Sequence, residues 1–332
     1  MEIKTQKRFI PIGKDYLVWH YTSPDVLVKL LNDEIYATHY RFLNDDEEIS
    51  YALKVCLDFF QNRLQGFDID LFIKMMLKQD VFVMCFSTAK DSLSQWRAYT
   101  SNQKGGFAIG FSKNKLCSYL NYAMNKKKGA DVKGADVKGA DVIDWGWIKC
   151  LYSKESLHHC LLELENLLKQ NVELTPSFMQ FMNGVSNAVT QKGQNGKKAL
   201  EVMQDSYMNL ERMSLVMNHL FNIALSYKHP SFAEENEERI LGFGVNLAVI
   251  DGLPLKESSK HRHDIEFIGG KPRIRIPIPF HKPKHSVKDC IKCIVVSPHG
   301  DKERNTLMAE LLRDKYDLQI EIEQSSSSYN GK

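Results

Sequence analysis

Apolar residues recur along this chain in two rhythms, and the switching between them predicts a mixed α and β protein. Leu17-Val18-Trp19-His20-Tyr21-Thr22 is a β-rich run that passes straight into Ser23-Pro24, an N-cap residue followed by a first-turn proline. Val26, Leu27, Leu30 and Leu31 then fall at helical spacing. Ile35 to Thr38 reads as a short strand. Arg41 to Glu48 reads as a turn whose acidic residues suit the positive end of the following helix. Helical spacing runs to about Lys78, with a break near Gly66. Val81 to Ser87 is too short and too β-rich for anything but a buried strand. A serine-capped helix over Ser92 to Tyr99, a strand over Phe107 to Phe111 after Gly105-Gly106, and a helix over Lys115 to Met124 follow.

Beyond this point the rhythm changes. Three tandem copies of Lys-Gly-Ala-Asp-Val fill Lys128 to Val142, and residues 126–143 read as an inserted, solvated loop. Ile148 to Tyr152 reads as a strand, and residues 154–228 as a helical insertion with two apolar faces, one rich in leucine and one in methionine. The stretch from Phe232 to Val245 begins acidic and ends as a strand. Arg273 to Phe280 alternates Arg with Ile, and its prolines predict a sheet edge. A strand (Ile291–Val296), a helix (about Asp301 to Tyr316) and a last strand (Leu318 to Glu323) close the pattern, with 324–332 expected as a disordered tail. The fold class is α+β, a mixed or antiparallel central sheet with a large helical insertion, in one domain over 17–323.

Composition narrows the setting. Length of 332 residues, 43% apolar content and a formal charge of +3 fit a globular chain with no polyelectrolyte partner for the molecule as a whole. The N-terminus lacks a signal-peptide core, no apolar run is long enough to span a bilayer, and seven scattered cysteines read as reduced, so a cytoplasmic location is expected. Cys290 and Cys293 lie three apart on an apolar strand and would point to opposite faces, which argues against a metal site.

Polar clusters interrupt the apolar strands at His20-Tyr21-Thr22, Ser87-Thr88, Trp96 with Tyr99, and Glu235-Asn236-Glu237 with Arg239. His20 at a strand end beside a helix N-terminus could meet an anionic ligand, or it could be a core histidine bonded to backbone. Glu235 and Glu237, two apart, would share a strand face and repel unless Arg239 compensates. Such a carboxylate suits a general base or the stabiliser of a developing cation, and Ser87 could orient it. The same run could equally be a solvated acidic turn. No nucleophile elbow, P-loop or dinucleotide-binding glycine motif is present. From Lys256 to Lys288, nine Lys or Arg stand against three carboxylates, with four histidines. This is either a phosphate-binding patch or the protective charge of an edge strand.

Taken in order, His20-Tyr21-Thr22, Leu43-Asn44-Asp45-x-Glu47, Cys85-Phe86-Ser87, Trp96-x-x-Tyr99, Gly106-x-Ala108-Ile109-Gly110-Phe111 and Glu235-x-Glu237-x-Arg239 resemble a bacterial family, the domain of unknown function numbered twenty-nine seventy-one. The resemblance spans about Leu17 to Glu323. The strand-end His-Tyr-Thr, the Phe-Ser-Thr strand and the late Glu-x-Glu are also more loosely similar to ADP-ribosyltransferases. That similarity implies an enzyme that uses NAD as substrate. His20 would hold the ribose and Tyr21-Thr22 the nicotinamide side. Ser87 would support the site, with Trp96, Tyr99 and Arg239 around it, and Glu235 or Glu237 would be catalytic. The expected function is then a toxin or phage-defence effector that modifies a protein or nucleic acid. Two other readings stand beside it. One is a non-catalytic nucleotide or nucleic-acid sensor module that uses the Lys256–Lys288 patch. The other is a metal-dependent nuclease built on Asp45, Glu47, Glu235 and Glu237.

Overall fold

The computed structural model describes residues 14–43, 48–61, 81–100, 105–130, 142–170, 219–220, 222–244, 264–268, 271–278 and 285–327. Strands from both ends of the chain form a single sheet in the order β10-β9-β4-β1-β3-β2-β8-β7, with β6 also paired to β3 and β5 paired to β6. The strands are β1 (Leu17–Thr22), β2 (Tyr36–His39), β3 (Val81–Ser87), β4 (Phe107–Ser112), β5 (Val142–Lys149), β6 (Glu237–Gly244), β7 (Asp264–Ile268), β8 (Lys271–Pro277), β9 (Ile291–Val296) and β10 (Glu321–Gln324). All pairs are antiparallel except β9 with β10, which a crossover helix connects. The helices are α1 (Pro24–Leu31), α2 (Glu48–Gln61), α3 (Leu93–Thr100), α4 (Lys113–Ala130), α5 (Lys154–Gln170) and α6 (Lys302–Lys315). The α+β class with a mixed, mostly antiparallel sheet is therefore observed. Among the described residues no helix is long and apolar enough to cross a membrane.

Strand pleat decides which core each side chain joins. Val18, Phe82, Met84, Phe86, Ile109, Ile240 and Ile294 point to one face, where α1, α4 and α6 pack. Val81, Val83 and Leu241 point to the other face, under α2, α5 and the helical turn 222–226. Trp19, Tyr21, Ala108 and Val295 also lie on that second face, under Trp96 of α3. Cys290 joins the first core and Cys293 packs on the second face, as their spacing implies. Two tryptophans lie flat on glycines of neighbouring strands. Trp19 pairs with Gly110 and Trp145 with Gly242, and a Cβ at either glycine would come within 2.8 Å of the indole.

Several expectations are corrected. Strand β8 is not an edge. It lies between β2 and β7, and its prolines sit at the ends, where Pro277 pairs with Tyr36 and Pro272 with Phe267. Its alternation holds, because Ile276 and Ile278 enter the core while Arg275 lies over the Tyr36 ring. Strand β5 begins at Val142, six residues before the apolar run that suggested it, and Trp145 and Trp147 both face the first core from it. Ser23 precedes α1 without a side-chain cap bond. The expected disordered tail is ordered at its start. Ser325 and Ser326 donate their hydroxyls to Asp91, and the Ser326 amide joins them. Of the loop expected over 126–143, residues 126–130 continue α4 and 142–143 begin β5; residues 131–141, most of the helical insertion (171–218) and the tail beyond 327 lie outside the described residues.

Candidate functional site

Strand β3 is the hinge of the sheet. One edge pairs with β6 along its whole length. The other edge is shared, because Ser87 pairs with Trp19 of β1 while Val83 and Phe82 pair with Thr38 and His39 of β2. The two partners diverge, and the Cys85 carbonyl lies in the fork between them. His20 Nδ1 lies 3.0 Å from that carbonyl. The imidazole therefore closes the fork as a side-chain substitute for a ladder bond. Burial holds its pKa below the usual histidine value. This is the core-histidine arrangement. The ring also packs beside Phe86, with centroids 5.9 Å apart.

The acidic run at Glu235 is split by the backbone. Pro230–Glu235 forms a 3-10 turn, Asn236 adopts a left-handed conformation (φ 43°), and β6 starts at Glu237. Asn tolerates that conformation better than most residues. Glu237 and Arg239 then face the second side of the sheet with Cys85 and Ser87, while Glu238 faces the first side. Glu238 accepts bonds from Tyr16 Oη (2.7 Å), Lys113 Nζ (2.7 Å) and Trp147 Nε1 (2.6 Å), a closed group on the same side as His20.

On the opposite side, three carboxylates and two cations converge. Arg239 donates from Nε to Glu237 Oε1 (2.7 Å), from Nη1 to the Leu225 carbonyl (2.7 Å) and from Nη2 to Glu48. Lys228 donates to Glu237 (2.7 Å) and to Glu235, and lies 3.8 Å from Glu48. Tyr152 Oη accepts the Glu237 amide. Tyr99 of α3 and Phe232 of the turn border this cluster. The Tyr99 ring is 39% exposed. Its hydroxyl is set among Cys85, Glu237 and Glu235, and burial followed by these groups raises its pKa. Lys228 Nζ lies 5.0 Å from the Phe232 ring centre.

The electrostatics follow from one excess carboxylate. Burial pushes the Glu237 carboxyl up, but Arg239 and Lys228 outweigh it and hold its pKa at about 2. Burial dominates at Glu48 and Glu235 instead, and both are raised. Burial also disfavours the charge on Lys228, yet Glu237 and Glu48 overcome it and the ammonium is held above its usual value. Glu235, with a side chain 17% exposed, is the carboxyl of the three nearest to solvent.

The sign of the pH dependence can be stated. Glu237 has a folded pKa of about 2 against an ordinary 4.5, so its contribution is present above pH 4.5 and is lost as pH falls towards 2. A shift of that size corresponds to roughly 3 kcal/mol. The raised Glu235 and Glu48 take up protons first, and that uptake favours the folded state. Acid titration followed by circular dichroism is expected to show a plateau through pH 4.5 and unfolding between there and pH 2. Unfolding complete by pH 4.5 would contradict this account.

Of the residues proposed from sequence, Ser87, Tyr99, Glu235, Glu237 and Arg239 come together. His20 does not join them, because β1 presents it on the opposite face from Glu237. Ser87 Oγ donates to the Glu235 carbonyl (2.6 Å) and accepts from the Ala89 amide, so it anchors the turn. Tyr21 Oη donates to the Ala89 carbonyl and accepts from the Ser92 amide. Thr22 is buried, and Trp96 is fully enclosed. None of these last residues offers a free surface to a cofactor. Asp45 and Glu47 lie outside the described residues, as does most of the Lys256–Lys288 patch. Among the described residues, no three His, Cys, Asp or Glu side chains are arranged to hold a metal. Sequence reading missed Lys228 and Glu48. Lys228 stands in no motif, and Glu48 was read as a dipole partner of α2 when it also serves Arg239.

Residues 95–240 match the family described as protein of unknown function (DUF2971). The match takes in Trp96, Tyr99, Glu235, Glu237 and Arg239 and stops before the end of β6. The resemblance seen in the sequence is thus shown over that stretch, which holds most of the convergent cluster. No curated protein and no solved structure matches the chain.

Proposed function

We propose that the chain is a nucleotide-binding sensor module whose site is the surface formed by Tyr99, Phe232 and Glu235 beside Lys228, and that it does not turn NAD over. The observation that carries this reading is the placement of His20 and Glu237 on opposite faces of the sheet, with Glu237 already paired to both Arg239 and Lys228. A transferase would need the late carboxylate free to face the ribose, in reach of the His20 side. A binding site needs only surface and orientation. The half-exposed Tyr99 and Phe232 rings supply π-faces on which a base can stack. Glu235, the carboxyl of the three nearest to solvent, can accept from sugar hydroxyls while Lys228 holds one of its oxygens. Of the four carboxylates a nuclease would use for a metal, Glu235 and Glu237 are here paired with Lys228 and Arg239.

Calorimetric titration of the full chain with NAD and with ATP, together with an assay for released nicotinamide, tests the proposal. Binding of at least one nucleotide without nicotinamide release is expected. Tyr99→Ala should weaken it roughly 10- to 100-fold, the effect of losing one base–aromatic stack. Glu235→Gln should weaken it further, and His20→Gln should leave it unchanged. Nicotinamide release that is lost in both His20→Gln and Glu237→Gln would replace this reading with the transferase. Absence of binding at millimolar nucleotide would end it.

A further inference from the structure

The two most exposed leucines among the described residues lie one turn apart on α6, Leu307 at 55% and Leu311 at 60%. The inner side of α6 is fully used. Asn305 and Ala309 are buried, and Met308, Leu312 and Tyr316 pack on the first core. The outer side presents Arg304, Leu307, Leu311 and Asp314, all exposed, at intervals of three, four and three. That is the spacing of a two-helix seam. Its order is basic, apolar, apolar, acidic, and it is complementary to its own reverse. Laid antiparallel against a second copy, Arg304 of one helix meets Asp314 of the other at both ends, and Leu307 meets Leu311 twice in the middle. Laid parallel, Arg304 would meet Arg304 and Asp314 would meet Asp314.

We infer that α6 is a homodimer surface, occupied by α6 of a second copy in antiparallel orientation about a two-fold axis midway between Leu307 and Leu311. A closed two-fold pairing uses the same patch on both copies, as this seam requires. Asp314 already accepts Nε of Arg313 at 2.9 Å through one oxygen and keeps the other for the partner. Glu310 flanks the seam, and in this register it lies on the same side as Glu310 of the second copy, about two residues apart along the pair. That repulsion, and a seam far shorter than the roughly 800 Å² per partner of a stable interface, make the dimer weak and concentration-dependent.

Sedimentation velocity of the full chain from roughly 5 to 500 µM reads the equilibrium directly, because weak self-association shows as a rise in sedimentation coefficient with concentration. A monomer–dimer transition within that range is expected. Leu307→Glu combined with Leu311→Glu should hold the chain monomeric, with an unchanged melting temperature because both positions are exposed. Arg304→Asp and Asp314→Arg should each weaken the dimer, and the two together should restore it, since position 304 of one copy faces 314 of the other. Glu310→Gln should tighten it by removing the like-charge pair that Glu310 makes with Glu310 of the second copy. A wild-type chain that stays monomeric throughout overturns the inference. So does a dimer indifferent to the leucine changes, or a double charge reversal that fails to recover what the single changes lose.

Discussion

Replacement of Arg239 by Met is expected to remove about 3–5 kcal/mol of stability, a large share of the total for a domain of this size. The guanidinium is 1% exposed and holds Glu237, Glu48 and the Leu225 carbonyl at once. Without it, two buried carboxylates remain with only Lys228 to serve them. The cost comes from stranded charge more than from lost attraction, because taking a charge out of water is expensive unless it is paired. This distinction can be measured. In urea denaturation, Arg239→Met combined with Glu237→Gln and Glu48→Gln should recover much of what Arg239→Met alone loses. If the single change costs under about 1 kcal/mol, the cluster is not the ion-paired centre described. If the triple change is no better than the single one, the penalty lies in packing. The single variant should also lose less of its stability on acidification than the wild type, because Glu237 no longer has the partner that holds its folded pKa below its unfolded value.

Truncation of Trp96 to Ala is expected to cost a similar 3–5 kcal/mol by a different route. The indole is fully buried on the second face of the sheet and meets the Tyr21 ring edge-on, with centroids 4.7 Å apart. Its Nε1 donates to Asp91, which also takes the hydroxyls of Ser325 and Ser326. Ala would leave a cavity between α3 and the sheet and would free one side of the anchor that holds the chain after β10. Trp96→Phe keeps most of the volume and loses one bond to a charged acceptor, so a loss of about 1.5–3 kcal/mol is expected. Because no part of the indole reaches the site, Trp96→Phe should leave nucleotide affinity unchanged, whereas Tyr99→Ala, three residues on, should not. Equal loss of affinity in both variants would mean that α3 positions the site as a unit and that the stacking role of Tyr99 is wrong.

The two motif residues Trp96 and Tyr99 illustrate what spacing can and cannot convey. Three residues on a helix separate a side chain that anchors the helix from one that borders the charged cluster, and the sequence marks both as a polar-aromatic pair. The acidic run before β6 behaves in the same way. Glu235, Glu237 and Glu238 look equivalent in sequence, yet the left-handed Asn236 and the strand pleat send Glu235 and Glu237 to Lys228 and Glu238 to Lys113.

Local pattern by itself determined most of the element types, though not β7, together with the α+β class and the burial of β1, β3, β4 and β9. Those depend on interactions between neighbours in sequence, where a period of two or of 3.6 is enough. It also marked Ser87, Tyr99, Glu235, Glu237 and Arg239, because polar residues that interrupt apolar strands stand out. Only the tertiary structure decided what these residues do. Whether β8 is an edge depends on β7 being added beyond it. Whether Glu237 is free depends on Lys228 and Glu48, which come from a turn and a helix remote from β6 in sequence. Whether His20 can reach Glu237 depends on strand parity carried across β3, and no spacing along the chain records which strands become neighbours.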